Sequence, residues 1–87
     1  MNNKDVNLRD RASLFPIFPA NRMRHVRTIR GLTQQELARR VGVTQGMISY
    51  IERGDALRVK KETMKRISRA LRISRRWLFD ENGRLRP

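Results

Sequence analysis

Gln45, Ser49, Tyr50 and Arg53 set an amide, two hydroxyls and a guanidinium on one short stretch of an 87-residue chain. On a helical wheel with Ile48 turned inward, Gly46, Ser49, Tyr50 and Arg53 point outward, and Gln45 lies on the flank at the N-terminal end. These groups donate and accept hydrogen bonds, and none is a nucleophile with a base beside it. His25, the one histidine, has no cysteine, second histidine or carboxylate at ligand or triad spacing, so it reads as a surface residue. The absence of cysteine removes disulfides and thiolate metal sites and fits a cytoplasmic protein. No catalytic constellation, metal set or cofactor pocket is legible, and an enzyme is not expected. The chemistry on offer is recognition.

Charge says what is recognised. The formal net charge is +13 and the pI near 11.9, far beyond what solubility requires. Residues 1–20 carry +1, residues 21–54 carry +5, residues 55–79 carry +7 and residues 80–87 carry 0. The excess therefore lies on the candidate recognition stretch and on the segment C-terminal to it. Such a field suits a polyanion, either nucleic acid or an anionic membrane. A membrane-surface helix would pair its cations with exposed Trp, Phe or Leu, whereas the apolar stripes here are short and fit one shared core. No apolar run approaches the roughly 20 residues that span a bilayer. Nucleic acid is the expected partner and a membrane is not.

The elements that position these groups follow from capping and periodicity. Thr33 and Glu36 form a capping box. Leu37, Ala38 and Val41 then share a face, and Gly42 stands where a helix needs a left-handed residue to stop. Thr44 caps a second helix, in which Ile48 and Ile51 point inward before Gly54 ends it. Helix, glycine turn and helix in about twenty residues is the helix-turn-helix unit. Before it, a helix starts near Asn21 and ends before Gly31, with Met23 and Val26 facing the core among Arg22, Arg24, Arg27 and Arg30. After the loop beyond Gly54, a helix from about Lys61 to Leu71 turns Met64, Ile67, Ala70 and Leu71 inward and Lys65, Arg66 and Arg69 outward. Ser74 caps a last short helix carrying Trp77, Leu78 and Phe79.

The residues Gln34, Glu36-Leu37-Ala38, Val41-Gly42-Val43, Thr44-Gln45, Ile48 and Ile51-Glu52 resemble the Cro and repressor type of helix-turn-helix DNA-binding proteins, the XRE family. The closing string MKRISRALRISRRWLF is similar to the end of the same domain, so the resemblance covers about residues 21–83. It implies an all-α, five-helix, lambda-repressor-like fold with the helix-turn-helix as helices 2 and 3. In that family helix 3 enters the major groove by its N-terminal end. Base readout is therefore expected from Gln45, Gly46, Ser49, Tyr50 and Arg53, with Gln45 suited to adenine and Arg53 to guanine or a phosphate. Gln34 matches a position that holds a backbone phosphate. Thr44, Arg58, Lys60 and Lys61 complete the expected phosphate contacts. Arg27 and Glu52 match positions that form an internal ion pair.

Two places depart from the family pattern. Gly46 replaces a larger polar residue, which leaves fewer base contacts and costs roughly 1 kcal/mol in helix propensity. Arg75 and Arg76 open the last helix, which in several relatives meets its twin across the dimer axis, and like charges there repel unless Asp55, Asp80 or Glu81 of the partner subunit answers them. A homodimer on a double-stranded operator remains the expectation, acting as a transcriptional regulator, a repressor, in the cytoplasm and nucleoid. The alternative is the antitoxin of a toxin–antitoxin pair, and a toxin or an antirepressor is the protein partner to consider. Residues 1–20 are expected to be an arm, partly flexible, in which Phe15 and Phe18 pack and Arg9 and Arg11 could reach DNA. Residues 84–87 are expected to be a frayed end.

Overall fold

The computed structural model describes residues 22–87. The expectations for Arg9, Arg11, Phe15 and Phe18, and for the cap at Asn21, lie outside them. Five helices run in order: α1 (Arg22–Ile29), α2 (Gln34–Val41), α3 (Gln45–Glu52), α4 (Lys61–Leu71) and α5 (Arg75–Leu78). The fold is all-α, and among the described residues the one β feature is an isolated antiparallel bridge between Phe79 and Leu85.

Local chemistry sets the helix-turn-helix. The Thr33 hydroxyl accepts from the Glu36 N–H at 3.0 Å, and the Thr33 N–H donates to the Glu36 carboxylate at 2.8 Å. Two otherwise unpaired donors of the first turn are thereby satisfied. Gly42 ends α2 at φ 85°, a left-handed conformation that a side chain would oppose. The Thr44 hydroxyl then accepts from the Met47 N–H at 3.0 Å and starts α3. The chain reverses over Gly42, Val43 and Thr44, so the relation between α2 and α3 is set by three consecutive residues.

The core joins every helix. Met23 and Val26 of α1, Leu37, Ala38 and Val41 of α2, Ile48 and Ile51 of α3, and Ile67 and Leu71 of α4 are buried together with Val59, Leu78 and Phe79. Each fully buried large aliphatic contributes about 1.5–3 kcal/mol. α2 packs on both α3 and α4, and small Ala38 lies buried within its core-facing stripe. Ser68 is an exception inside this core: it is buried and its hydroxyl has no hydrogen-bond partner.

α3 ends as expected, with Arg53 as its cap and Gly54 following at φ 79°, its N–H donating to Ile51 O at 2.9 Å. The structure differs from the sequence expectation in two places. Ser74 stands at the start of α5, but its hydroxyl makes no capping bond. The end expected to fray is tied down. The Arg86 N–H donates to Leu78 O at 2.7 Å, the Asp80 N–H to Arg84 O at 2.8 Å, and the Arg86 side chain to Arg76 O at 2.8 Å. Arg22 reaches from α1 to Pro87 O at 3.2 Å and Trp77 O at 2.9 Å, and its guanidinium lies 4.7 Å from the Trp77 ring centroid. Backbone pairing of this kind leaves no side-chain pattern to read.

Gly83 is the residue that permits this closure. Its φ is 80°, and a Cβ there would come within 2.9 Å of Val59 O. The Val59 N–H donates to Gly83 O at 2.8 Å, fastening the loop after α3 to the C-terminal turn. Arg72, at φ 58°, adopts the left-handed conformation without being glycine and caps α4. Arg30 compensates from beyond the end of α1, donating to Leu71 O at 2.7 Å and Arg72 O at 3.3 Å, where unpaired carbonyls and the negative end of the helix dipole favour a cation.

Candidate nucleic-acid interface

The interface is built on a buried anchor. Arg27 Nε donates to Glu52 Oε2 at 2.6 Å and Arg27 Nη2 to Glu52 Oε1 at 3.1 Å, a two-pronged pair with Arg27 8 % and Glu52 4 % exposed. Arg27 Nη1 also donates to Leu32 O at 2.7 Å. Gln34 adds a donor to Glu52 Oε1 at 3.1 Å. α1, the start of α2 and the end of α3 are thus joined at one carboxylate, which fixes how α3 is carried.

From that anchor α3 presents its outer face. Gln45 and Gly46 are exposed at its first turn, Ser49 is half-buried, and Tyr50 is 42 % exposed. Arg53 is exposed just beyond the last turn, with Nη1 donating to Ser49 Oγ at 2.8 Å and Nε to Asp55 Oδ2 at 2.8 Å. Met47, 44 % exposed, stands beside them. The wheel places Met47 at the edge of the inward arc, which is why sequence alone does not single it out. An exposed thioether on this face can meet a thymine methyl. At Gly46 a Cβ would meet nothing closer than the Thr44 hydroxyl at 3.8 Å. The fold itself therefore imposes no glycine at that position.

The expected phosphate residues fall in two groups. Gln34 and Thr44 stand at the N-termini of α2 and α3. Gln34 is half-buried and partly engaged by Glu52, with one amide hydrogen and its carbonyl remaining for another partner. The Thr44 hydroxyl is occupied as the cap of α3, although the residue is exposed. Arg58, Lys60 and Lys61 form the second group. Val59 turns inward and is buried, and Arg58 and Lys60 on either side are exposed, as alternation along an extended chain requires. Lys60 and Lys61 lie at the N-terminus of α4, where the helix dipole disfavours a cation by about 0.3–1 kcal/mol each. Local folding does not explain those lysines, and a phosphate beside them would offset the cost.

Two carboxylates, Glu36 exposed and Asp80 half-buried, serve the scaffold. Hydrogen bonding from the Thr33 backbone and hydroxyl holds the Glu36 carboxyl below its ordinary range. The backbone N–H of Arg84, helped by that of Asn82, does the same for Asp80, which closes its own turn. Both backbone donors of that turn meet Asp80 Oδ1. Among the described residues no group of His, Asp and Glu is placed to hold a metal, and no helix is long and apolar enough to cross a membrane.

Comparison with known proteins agrees with this geometry. A family model described as helix-turn-helix matches residues 23–78. The chain is similar to the HTH-type transcriptional regulators for conjugative elements R391 of Providencia rettgeri, SXT of Vibrio cholerae and pMERPH of Shewanella putrefaciens, each 39 % identical over 66 residues. The match covers 76 % of this chain and spans 30 % of the length of each relative. No solved structure matches.

Proposed function

The chain belongs to the helix-turn-helix family, and from that premise we propose that it is a repressor that binds a roughly palindromic operator as a homodimer. It is a DNA-binding transcriptional regulator rather than an enzyme in the reading that family and relatives support. α3 enters the major groove, Gln45, Gly46, Ser49, Tyr50 and Arg53 face the bases with Met47 beside them, and Gln34, Thr44, Arg58, Lys60 and Lys61 take the flanking phosphates. The observation that carries this reading is the exposed polar face of α3, held rigidly by the Arg27–Glu52 pair and flanked by cations that folding does not need. Occupancy of the operator then excludes polymerase in the cytoplasm and nucleoid. The names of the relatives, each a transcriptional regulator, support a regulator over an antitoxin.

The test is selection of bound duplexes from a random-sequence pool, with band-shift titration of the best sequence against a shuffled duplex. The expected result is two related half-sites about 10 base pairs apart, bound at least 10³-fold more tightly than the shuffled duplex. A pool that yields no enriched sequence refutes the proposal.

A further inference from the structure

Arg53 is the outward cation of the α3 face, and it does not stand alone. Its Nε donates to Asp55 and its Nη1 to Ser49, both at 2.8 Å. The side chains of Arg53 and Asp55 are 59 % and 52 % exposed, so the pair does little for stability. What it does is orient. The chain passes through Gly54 at φ 79°, and the Asp55 N–H closes on Tyr50 O at 3.2 Å, which brings the carboxylate back beside the guanidinium. Ser49, one turn earlier on α3, holds the other side. The Nη2 end and one Nη1 hydrogen are left for a group outside the protein.

Resting on the operator-binding reading above, we infer that Asp55 is a positioning residue that makes Arg53 a reader of bases rather than a holder of phosphates. An unpaired surface arginine is drawn to the nearest phosphate, because that interaction is a charge attraction indifferent to sequence. With Asp55 beside it, the charge of the guanidinium is offset and an approaching phosphate meets a carboxylate. Guanine offers O6 and N7, neutral acceptors that the carboxylate does not repel, and a guanidinium fixed in orientation can bond both. Ser49 and Asp55 also hold the side chain before DNA arrives, so less freedom is lost on binding. Discrimination arises because the pair weakens binding to the wrong sequences more than to the right one.

The test compares wild type, Asp55→Asn and Arg53→Ala on the duplex selected from the random pool and on its shuffled counterpart, with salt dependence and thermal melting. For Asp55→Asn, binding to the shuffled duplex should rise about threefold per protomer, from one carboxylate removed at about 6 Å from a phosphate in water. The selected-to-shuffled ratio should fall about tenfold as base readout loosens. The plot of log affinity against log salt on the shuffled duplex should steepen by about 1 per protomer. Melting should stay within a few degrees, which a purely structural role would not combine with altered selectivity. Arg53→Ala should lower the ratio as well, without the rise on shuffled DNA. If wild type discriminates and Asp55→Asn keeps the same ratio and salt slope, the inference is overturned and the operator reading stands. If wild type does not discriminate, both are overturned.

Discussion

Replacing Arg27 with alanine would leave the Glu52 carboxylate, 4 % exposed, without either prong of its guanidinium partner. Gln34 would still donate to Oε1, but an amide offers a dipole where a full charge stood. Stranding one member of a buried pair costs roughly 3–5 kcal/mol. The two single variants should differ. Glu52→Ala leaves Arg27 bonded to Leu32 O and carried on a long stem that can lift its charge towards water, so its cost falls near the lower figure. Arg27→Ala leaves a short carboxylate with nowhere to go, and its cost falls near the upper one. A domain of this size has a total stability of about 3–10 kcal/mol. At about 4 °C or more per kcal/mol, Arg27→Ala should lower the melting temperature by about 20 °C and Glu52→Ala by about 12 °C. The double replacement Arg27→Met with Glu52→Leu should recover much of the loss, since apolar side chains of similar volume remove the desolvation penalty altogether. Circular-dichroism melts of wild type, the two single variants and the double replacement give the two losses and the recovery. Single variants that melt within a few degrees of wild type would mean that water reaches both charges, and the anchoring role assigned to the pair would fall.

Gln45→Ala should cost about 1–3 kcal/mol on the selected duplex and little on shuffled DNA, and equal losses on both would reassign Gln45 to the backbone. About ten phosphate contacts across a dimer should give log affinity against log salt a slope near −9, and a slope shallower than about −3 would mean that the cations face elsewhere. Ser68→Ala should raise stability by about 1 kcal/mol in a thermal melt, because the buried hydroxyl is unpaired; a lower melting temperature would show that it has a partner after all. The Glu36 and Asp80 carboxyls are held below their ordinary range in the fold, so the stability they add is full above the unfolded carboxylate pKa. It is lost as pH falls through the lower folded value. Melts below about pH 4.5 should therefore fall more steeply for wild type than for Glu36→Gln with Asp80→Asn, and matching acid profiles would contradict the assignment.

What the sequence shows and what it hides divide along the range of the interactions. The Thr33–Glu36 box, the stop at Gly42 and the cap at Thr44 involve residues three or four apart, and each is written in residue types suited to that one role. The inward stripe of α4 follows from its period, and its bounds match. Ser74 has the right type and a vacant role, because a short helix can begin from backbone geometry alone. The clasp at residues 84–87 is invisible in the sequence: it is made by carbonyls of Leu78, Arg76 and Pro87, and carbonyls carry no sequence signal. On the outer face of α3, a wheel sorts Ser49, Tyr50 and Arg53 outward, puts Gln45 on the flank and leaves Met47 on the boundary. Asp55 is not on the wheel at all. It joins the face only because the chain doubles back at Gly54, a local turn for which the glycine is the one available sign.

The contact of Arg22 with Pro87, 65 residues away, bears on the order in which the domain assembles. The helix-turn-helix needs loops of about ten residues, whereas joining α1 to the last residue closes nearly the whole described chain. By loop-closure entropy the longer closure costs about 1.5–2 kcal/mol more, and that cost is recovered only after the core between them exists. The clasp therefore belongs on the native side of the folding barrier. Interactions formed there leave the folding rate almost unchanged and slow unfolding. Arg22, Gly83 and the tail would thus act as a brake on opening, lengthening the time α3 stays in its presenting geometry rather than hastening its arrival there.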